Sequence, residues 1–314
     1  MKDLIIPRNT IQFLKEHGIS AKKRYGQNFL IDPKVLSRII VGADITKEDV
    51  VLEIGPGIGT MTQALCEAAG RVIAVEIDRD MIPLLEENLA GYDNYEIIND
   101  DILKVDLKKL IEEHMGRASA GEELPEAKDR AAETEMPSLQ KEASHRLKVA
   151  ANLPYYITTP IIMGLLEQDL PLDSITVMVQ REVAERMQAK PGTKDYGALT
   201  LAVQYYTRAE IIANVPSNCF IPRPNVDSAV IRLKLHEDPP VRPADEKKMF
   251  GLIRAAFSQR RKTLVNALKN NAALSSEGVN RERIEAAISR MELDPNIRGE
   301  RLSLEEFARL SDLL

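Results

Sequence analysis

A chain of 314 residues that is 44% hydrophobic and 29% charged has the composition of a globular protein with room for two domains. It contains no run of 18 apolar residues, and its N-terminal MKDLIIPRNT lacks a long apolar stretch ending at a small-residue cleavage site. These features argue against a membrane span and a secretory signal and predict a cytoplasmic location. The two cysteines, Cys66 and Cys219, cannot build a disulfide framework, and the four scattered histidines lack ligand spacing, so no metal site is expected.

The formal net charge of −6 argues against a polyanionic partner only as a total. Residues 112–142 hold nine acids and four Lys/Arg, a net of −5, which leaves −1 for the rest of the chain. Residues 247–269 carry seven Lys/Arg and no acid. Local clusters, more than the total, set the footprint for a nucleic acid.

In chain order, residues 50–54 form a short β-rich run ended by glycine. Residues 60–69 read as a helix that starts near Thr60 or Thr62 and stops at Gly70. A strand is predicted at 72–75, a helix at 79–90 and a third strand at 95–98. The segment from about 116 to 146 is rich in Ala, Glu, Ser and Lys and reads as a solvated acidic insertion. Strands at 147–151 and 175–179 follow. Continuous apolar strands between helices predict an α/β fold with a mostly parallel sheet buried on both faces. Two further strands, 209–214 and 229–235, lack a crossover helix between them, which predicts an antiparallel pair at one edge. Beyond Pro239, Pro240 and Pro243 only helical patterns remain, at 247–257, 262–270, 281–290 and 304–314. Asn280 is placed to cap the third of these, and Ser303 with Glu306 forms a capping box for the fourth. The expected division is 1–240, with an N-terminal arm over 1–30, followed by a small all-α C-terminal domain over 241–314.

The candidate site residues fall at the ends of the predicted strands. Gly55-Pro56-Gly57-Ile58-Gly59 joins the first strand to its helix, and its glycines let backbone approach a ligand closely. The G-x-G-x-G spacing departs from the G-x-G-x-x-G of dinucleotide sites. It disfavours a nucleotide-dependent dehydrogenase and is compatible with a ligand that has no phosphate, such as S-adenosylmethionine. Glu76 ends the second strand, where a carboxylate can accept both hydroxyls of a ribose; an ordinary exposed acid is the alternative. Asp101 lies at the next strand mouth, in reach of an adenine amino group. Asn152-Leu153-Pro154-Tyr155 follows the fourth strand. It brings an amide, a carbonyl before a rigid proline and an aromatic ring to the ligand-binding end of an open sheet. Such a trio suits a flat base bearing an exocyclic amine, although the tetrapeptide alone also reads as a turn. Taken in order, these features predict an adenosyl cofactor.

At this point the chain resembles the ribosomal RNA adenine N6-dimethyltransferases, class I S-adenosylmethionine enzymes that modify small-subunit rRNA. The matching motifs are Tyr25-Gly26-Gln27-Asn28-Phe29-Leu30, Glu53-Ile54-Gly55-Pro56-Gly57-Ile58-Gly59, Glu76-Ile77-Asp78, Asn99-Asp100-Asp101 and Asn152-Leu153-Pro154-Tyr155-Tyr156-Ile157. They continue with Phe220-Ile221-Pro222-Arg223-Pro224, Val226-Asp227-Ser228, and Phe257 with Arg260-Arg261-Lys262-Thr263-Leu264. They stand in family order over nearly the whole chain; the acidic insertion is the main departure. The resemblance implies a Rossmann-like class I sheet, S-adenosylmethionine as cofactor, and a cofactor site lined by Asn28, Leu30, Gly55, Gly57, Glu76, Asp101 and Asn152. It implies as substrate two adjacent adenosines in the hairpin near the 3′ end of 16S rRNA, within immature small subunits, each receiving two methyl groups. A monomer with no metal and no membrane partner is expected, its C-terminal domain binding RNA or ribosome.

Adenine's exocyclic nitrogen is a poor nucleophile because its lone pair is delocalised into the ring. The Asn152 oxygen and the Leu153 carbonyl, held ahead of Pro154, can each accept one N–H and leave the lone pair aimed at a methyl donor. Tyr155 would stack on the flipped base and Phe220 would close its other face, at about 1–3 kcal/mol per stacked base; core packing is the alternative for Phe220. Looped RNA is the form in which an adenine splays out cheaply. Arg260, Arg261 and Lys262, with Arg223 and with Lys22-Lys23-Arg24, form a candidate phosphate track. Two other readings stand beside this one. One is a resistance-type methyltransferase acting on large-subunit rRNA. The other is a ribosome-assembly or transcription factor that keeps the fold without catalysis.

Overall fold

The computed structural model of the protein describes residues 6–18, 22, 25–120, 146–276 and 278–314. The first elements are α1 (Pro7–Glu16), β1 (Phe29–Leu30) and α2 (Pro33–Gly42). The Asp32 carboxylate caps α2 by accepting from the amides of Lys34 and Val35. The alternation expected of an α/β chain follows as β2 (Asp49–Ile54), α3 (Thr60–Ala68), β3 (Arg71–Glu76), α4 (Ile82–Leu89), β4 (Tyr95–Asn99), α5 (Leu107–Ala120) and β5 (Arg146–Asn152). Most of the expected acidic insertion, 121–145, lies outside the described residues. Next come α6 (Thr158–Glu167), β6 (Leu172–Gln180), α7 (Arg181–Met187), α8 (Ala198–Tyr206), β7 (Thr207–Val215), β8 (Phe220–Ile221) and β9 (Ser228–Leu235). The chain ends in helices only: α9 (Glu246–Ser258), α10 (Leu264–Leu268), α11 (Ala272–Ser276), α12 (Arg281–Arg290) and α13 (Leu304–Leu313).

Among the described residues seven strands form one sheet in the order β4-β3-β2-β5-β6-β9-β7. β2 runs parallel to β3 and to β5, and β3 runs parallel to β4. β7 and β9 are the predicted antiparallel pair at the edge, with an irregularity between Ile211 and Ala213. The apolar residues of β2, β3 and β5 are nearly all fully buried, as a sheet covered on both faces requires. From β2 the chain proceeds to one side through β3 and β4, then returns to the other side with β5. The junction of β2 and β5 is therefore a topological switch point, and its carboxyl ends open a crevice.

Two compact units are formed. The first comprises Met1–Ile157, Gln168–Val177 and Ser217–Asn225; the second comprises Thr158–Glu167, Met178–Pro216 and Val226–Leu314. In the first, Phe13 and Leu14 of α1 pack with Phe29, Ile58, Met81 and Leu84, and Ile221 lies against them. β1 and β8 pair antiparallel there, with Leu30 opposite Phe220. The strands end before the proline-rich break near 240, as expected, but that break falls inside the second unit. The helices beyond it share a core with Tyr196, Leu201, Ala202 and Tyr205, which precede it. Tyr206 stacks on Phe250 with centroids 5.6 Å apart, and the hydroxyls of Tyr205 and Tyr206 both donate to Glu246. The Ser303–Glu306 capping box and the Asn280 cap form as the sequence predicts.

Candidate active site

The crevice is built from the glycine loop outward. The Gly55 amide donates to the Val75 carbonyl at 2.9 Å, fastening the loop to β3. Gly57 and Gly59 have φ of 59° and 89°, a region side chains rarely enter. A Cβ at Gly59 would lie 2.8 Å from Leu85 Cδ1, and one at Gly57 would lie 3.2 Å from the Phe29 ring. The buried Asn88 of α4 donates to the Ile58 carbonyl at 2.8 Å, so the loop is held from below as well.

Glu76 ends β3, 4% exposed. Its Oε2 accepts from the Gly57 amide at 3.0 Å and its Oε1 from the Asp78 amide at 2.8 Å. Burial pushes this carboxyl above the usual range, and the Asp78 and Gly57 amides partly offset that. Each oxygen still has capacity for a further donor. Asn99 at the end of β4 donates to the Glu76 carbonyl at 2.8 Å.

Glu53 lies inside β2, fully buried, with no hydrogen bond to either carboxyl oxygen. Burial drives its carboxyl up to about 8 and Glu76 adds to the rise. The Thr62 hydroxyl favours the anion from close by without meeting hydrogen-bond geometry. Near neutral pH this group is mainly the uncharged acid.

At the end of β5, Asn152 Nδ2 donates to the Asn28 carbonyl at 2.9 Å, and Asn28 Nδ2 donates to the Gly26 carbonyl at 2.9 Å. A carbonyl can only accept, so this contact fixes which end of the Asn152 amide is nitrogen and leaves Oδ1 as the acceptor. The cleft encloses about 870 Å³ with its open mouth included, and is lined by residues 25–30, 55–58, 60–61, 76–77 and 152–157 together with Glu53.

The structure thus gathers Asn28, Leu30, Gly55, Gly57, Glu76, Asn152, Leu153, Pro154 and Tyr155 around one cleft. Asp101 stands outside that lining. Its carboxylate accepts from the Leu103 amide at 3.1 Å and pairs with Lys104 at 3.4 Å. Burial, and then the Asp101 charge, raise the Tyr156 phenol above its ordinary value. Phe220 is 2% exposed and sits opposite Leu30 in the β1–β8 ribbon, away from the cleft lining.

Of the expected phosphate track, Lys23 and Arg24 lie outside the described residues. Lys22 is instead engaged by Asp78 at 2.7 Å and Asp80 at 2.5 Å. Arg260 donates to the carbonyls of Lys194 and Tyr196 and lies 3.7 Å from Glu300, while Arg261 and Lys262 are exposed. Arg223 is exposed, its Nε donating to Ser217 Oγ at 2.9 Å. Among the cleft residues to which the sequence assigns no role are Glu53, Ile77, which is 45% exposed, and Tyr156, which is 57% exposed. The signal for Glu53 was present, an acid within an otherwise apolar strand.

The cleft's chemistry fits S-adenosylmethionine. It offers a carboxylate between strand ends for a ribose, an exposed apolar side chain beside it, and a buried acid without a partner for a cationic amine. Among the described residues no cluster of three or more His, Cys, Asp or Glu could hold a metal ion, and no helix is long and apolar enough to cross a membrane.

Sheet order, glycine loop and crevice together define a class I methyltransferase fold. A dimethyladenosine transferase from Plasmodium falciparum superimposes with a TM-score of 0.67 at 27% identity, covering 90% of this chain and 95% of that one. A 23S rRNA methyltransferase superimposes with a TM-score of 0.60 at 25% identity, covering 91% and 99%. Residues 18–314 match the family described as ribosomal RNA adenine dimethylase. The ribosomal RNA small subunit methyltransferase A of Lachnoclostridium phytofermentans is 53% identical over 98% of this chain and 96% of its own length. That of Geobacillus thermodenitrificans is 47% identical over 100% and 97%. The chain belongs to the ribosomal RNA adenine dimethylase family and is an rRNA methyltransferase.

Proposed function

We propose that this protein transfers methyl groups from S-adenosylmethionine to N6 of two adjacent adenosines in the 3′-terminal hairpin of 16S rRNA, giving dimethyladenosines. Its substrate is the immature small subunit, and it works as a cytoplasmic monomer. The observation that carries the reading is the Asn152 amide at the switch point, turned by the Asn28 carbonyl so that Oδ1 is the acceptor. Small-subunit rather than large-subunit rRNA is favoured by full-length relatives at 45–53% identity that bear the small-subunit name.

Bound S-adenosylmethionine supplies a methyl group made electrophilic by its sulfonium. With the cofactor bound, Glu76 would accept the ribose hydroxyls, Asp101, which stands outside the cleft lining, would accept the adenine amine, and Glu53 would give up its proton and meet the cationic amine of the amino-acid portion. Asn28, Leu30, Gly55 and Gly57 shape the walls. The Asn152 oxygen and the Leu153 carbonyl accept the two N–H bonds of the target amine, which aims its lone pair at the methyl group. No strong base is needed, because the methylated nitrogen sheds its proton readily. Pro154 stiffens the turn, Tyr155 stacks on the base, and Phe220 backs Leu30 through the ribbon. Arg261, Lys262 and Arg223 contact phosphates, while Arg260 holds its own loop in place.

Incubation with labelled S-adenosylmethionine and undermethylated small subunits should place label on two adjacent adenosines near the 3′ end. Label on free large-subunit rRNA instead would overturn the reading. Asn152→Ala should lower transfer by about 10²–10³-fold. Replacing Arg261 and Lys262 with Ala should reduce the log–log salt slope of RNA binding by about 1.5, at roughly 0.7–0.9 per phosphate contact; an unchanged slope would remove these residues from the interface.

A further inference from the structure

Asp78 is 2% exposed, two residues past Glu76, and none of the chemistry above uses it. Its Oδ1 accepts from Lys22 Nζ at 2.7 Å and its Oδ2 from Gln27 Nε2 at 3.0 Å. Gln27 Oε1 in turn accepts from the Lys22 amide at 2.8 Å. The three residues close a ring of contacts between the arm and the end of β3. Lys22 also reaches Asp80 at 2.5 Å, and its ammonium lies 5.9 Å from the centre of the Tyr25 ring. Asp78 does cap the short turn Arg79–Met81 through the Asp80 amide at 3.3 Å. A cap alone requires only that amide, and accounts for neither a lysine nor a glutamine drawn from more than fifty residues away.

The position of this ring gives it a consequence for the site. Gln27 immediately precedes Asn28, whose carbonyl receives Asn152 Nδ2, and Phe29 then enters the ribbon with β8. The Asn28 carbonyl therefore hangs between two anchors, the ring on one side and the ribbon on the other. Neutralising the Lys22–Asp78 pair loosens the first of them, leaving Asp78 held to the arm through Gln27 alone. The pair is partly withdrawn from water, with side chains 25% and 3% exposed, so it is less screened than a surface pair.

We propose that Asp78 is a positioning residue for methyl transfer: through Lys22 and Gln27 it fixes the arm so that the Asn28 carbonyl holds the Asn152 amide in its accepting orientation. This rests on the catalytic role given to Asn152 above.

The test compares Lys22→Met with Lys22→Arg in the full-length enzyme, at saturating cofactor over a range of small-subunit concentrations. Asp78 is buried and its variants risk misfolding, whereas Lys22 lies at the surface. Lys22→Met should lower kcat about ten-fold with the KM for small subunits unchanged, and Lys22→Arg, which keeps the charge, should restore most of that loss. In an Asn152→Ala background Lys22→Met should cost nothing further in single-turnover transfer. Unchanged kcat in Lys22→Met overturns the proposal, as does an equal loss in Lys22→Arg. A raised KM for small subunits with kcat retained makes Lys22 a phosphate contact and also overturns it. If Asn152→Ala itself keeps full kcat, the catalytic reading beneath the proposal fails first, and the two failures are thereby told apart.

Discussion

Asp49 and Glu53 are acids on one strand, on one face of it, and both are fully buried. Their surroundings are opposite. Asp49 Oδ2 takes the buried Lys148 ammonium at 2.9 Å, the Thr46 amide at 2.7 Å and the Thr46 hydroxyl at 3.0 Å, and Arg146 lies 3.5 Å from Oδ1. Glu53, two repeats of the pleat further toward the carboxyl end, has no hydrogen bond and is held protonated by burial. A buried acid whose charge is met by buried and nearby cations belongs to the scaffold, even with one oxygen lacking a hydrogen bond. One left unpaired at the mouth of a cleft costs stability unless something arrives to meet it.

The sharpest way to break this contrast is Lys148→Met. It strands a buried Asp49 charge and should cost about 3–5 kcal/mol, lowering Tm by on the order of 10 °C, with affinity for S-adenosylhomocysteine at 25 °C unchanged. A Tm within a degree of the parent would show that Asp49 does not depend on its partner. Glu53→Gln should act the other way. Between the ordinary glutamate value near 4.5 and about 8, the folded protein keeps a proton that the unfolded chain has released. Stability must therefore fall as pH rises across that window and level off above it. The Gln variant should remove this slope and be more stable at pH 8 by about 2–4 kcal/mol, seen in urea titrations at pH 5 and pH 8. Parallel pH profiles for the two proteins would refute it. If a cationic amine ionises Glu53, binding of S-adenosylhomocysteine at pH 7 should also release a proton, readable as a buffer-dependent binding enthalpy that vanishes in Glu53→Gln. The smallest effect is expected at Glu76, whose carboxyl group already accepts from two backbone amides. Glu76→Gln should weaken S-adenosylhomocysteine about ten-fold, the worth of one charged hydrogen bond, and a calorimetric titration checks it.

What the sequence made legible follows from locality. The strands of the parallel sheet, the glycine loop and the caps at Asn280 and Ser303 are each written in a few neighbouring residues, and all form where expected. The helices at 33–42, 158–167 and 181–187 are not among the sequence-based expectations; the second is apolar on more than one face, so it carries no clear helical period. Two-residue strands carry no periodicity at all, so the pairing of Leu30 with Phe220 was invisible, and with it the burial that takes Phe220 out of the cleft lining. The same limit hid the contact that orients Asn152, whose partner lies 124 residues away. Lys22 looked like a free cation because its neighbours in sequence are basic; its carboxylate partners arrive from the end of β3.

The ribbon of β1 and β8 also has a meaning for synthesis. The arm leaves the ribosome well before its partner, because the strand that seats it is made about 190 residues later. At roughly 5–20 residues per second, the arm waits on the order of ten to forty seconds during synthesis for the strand that seats it.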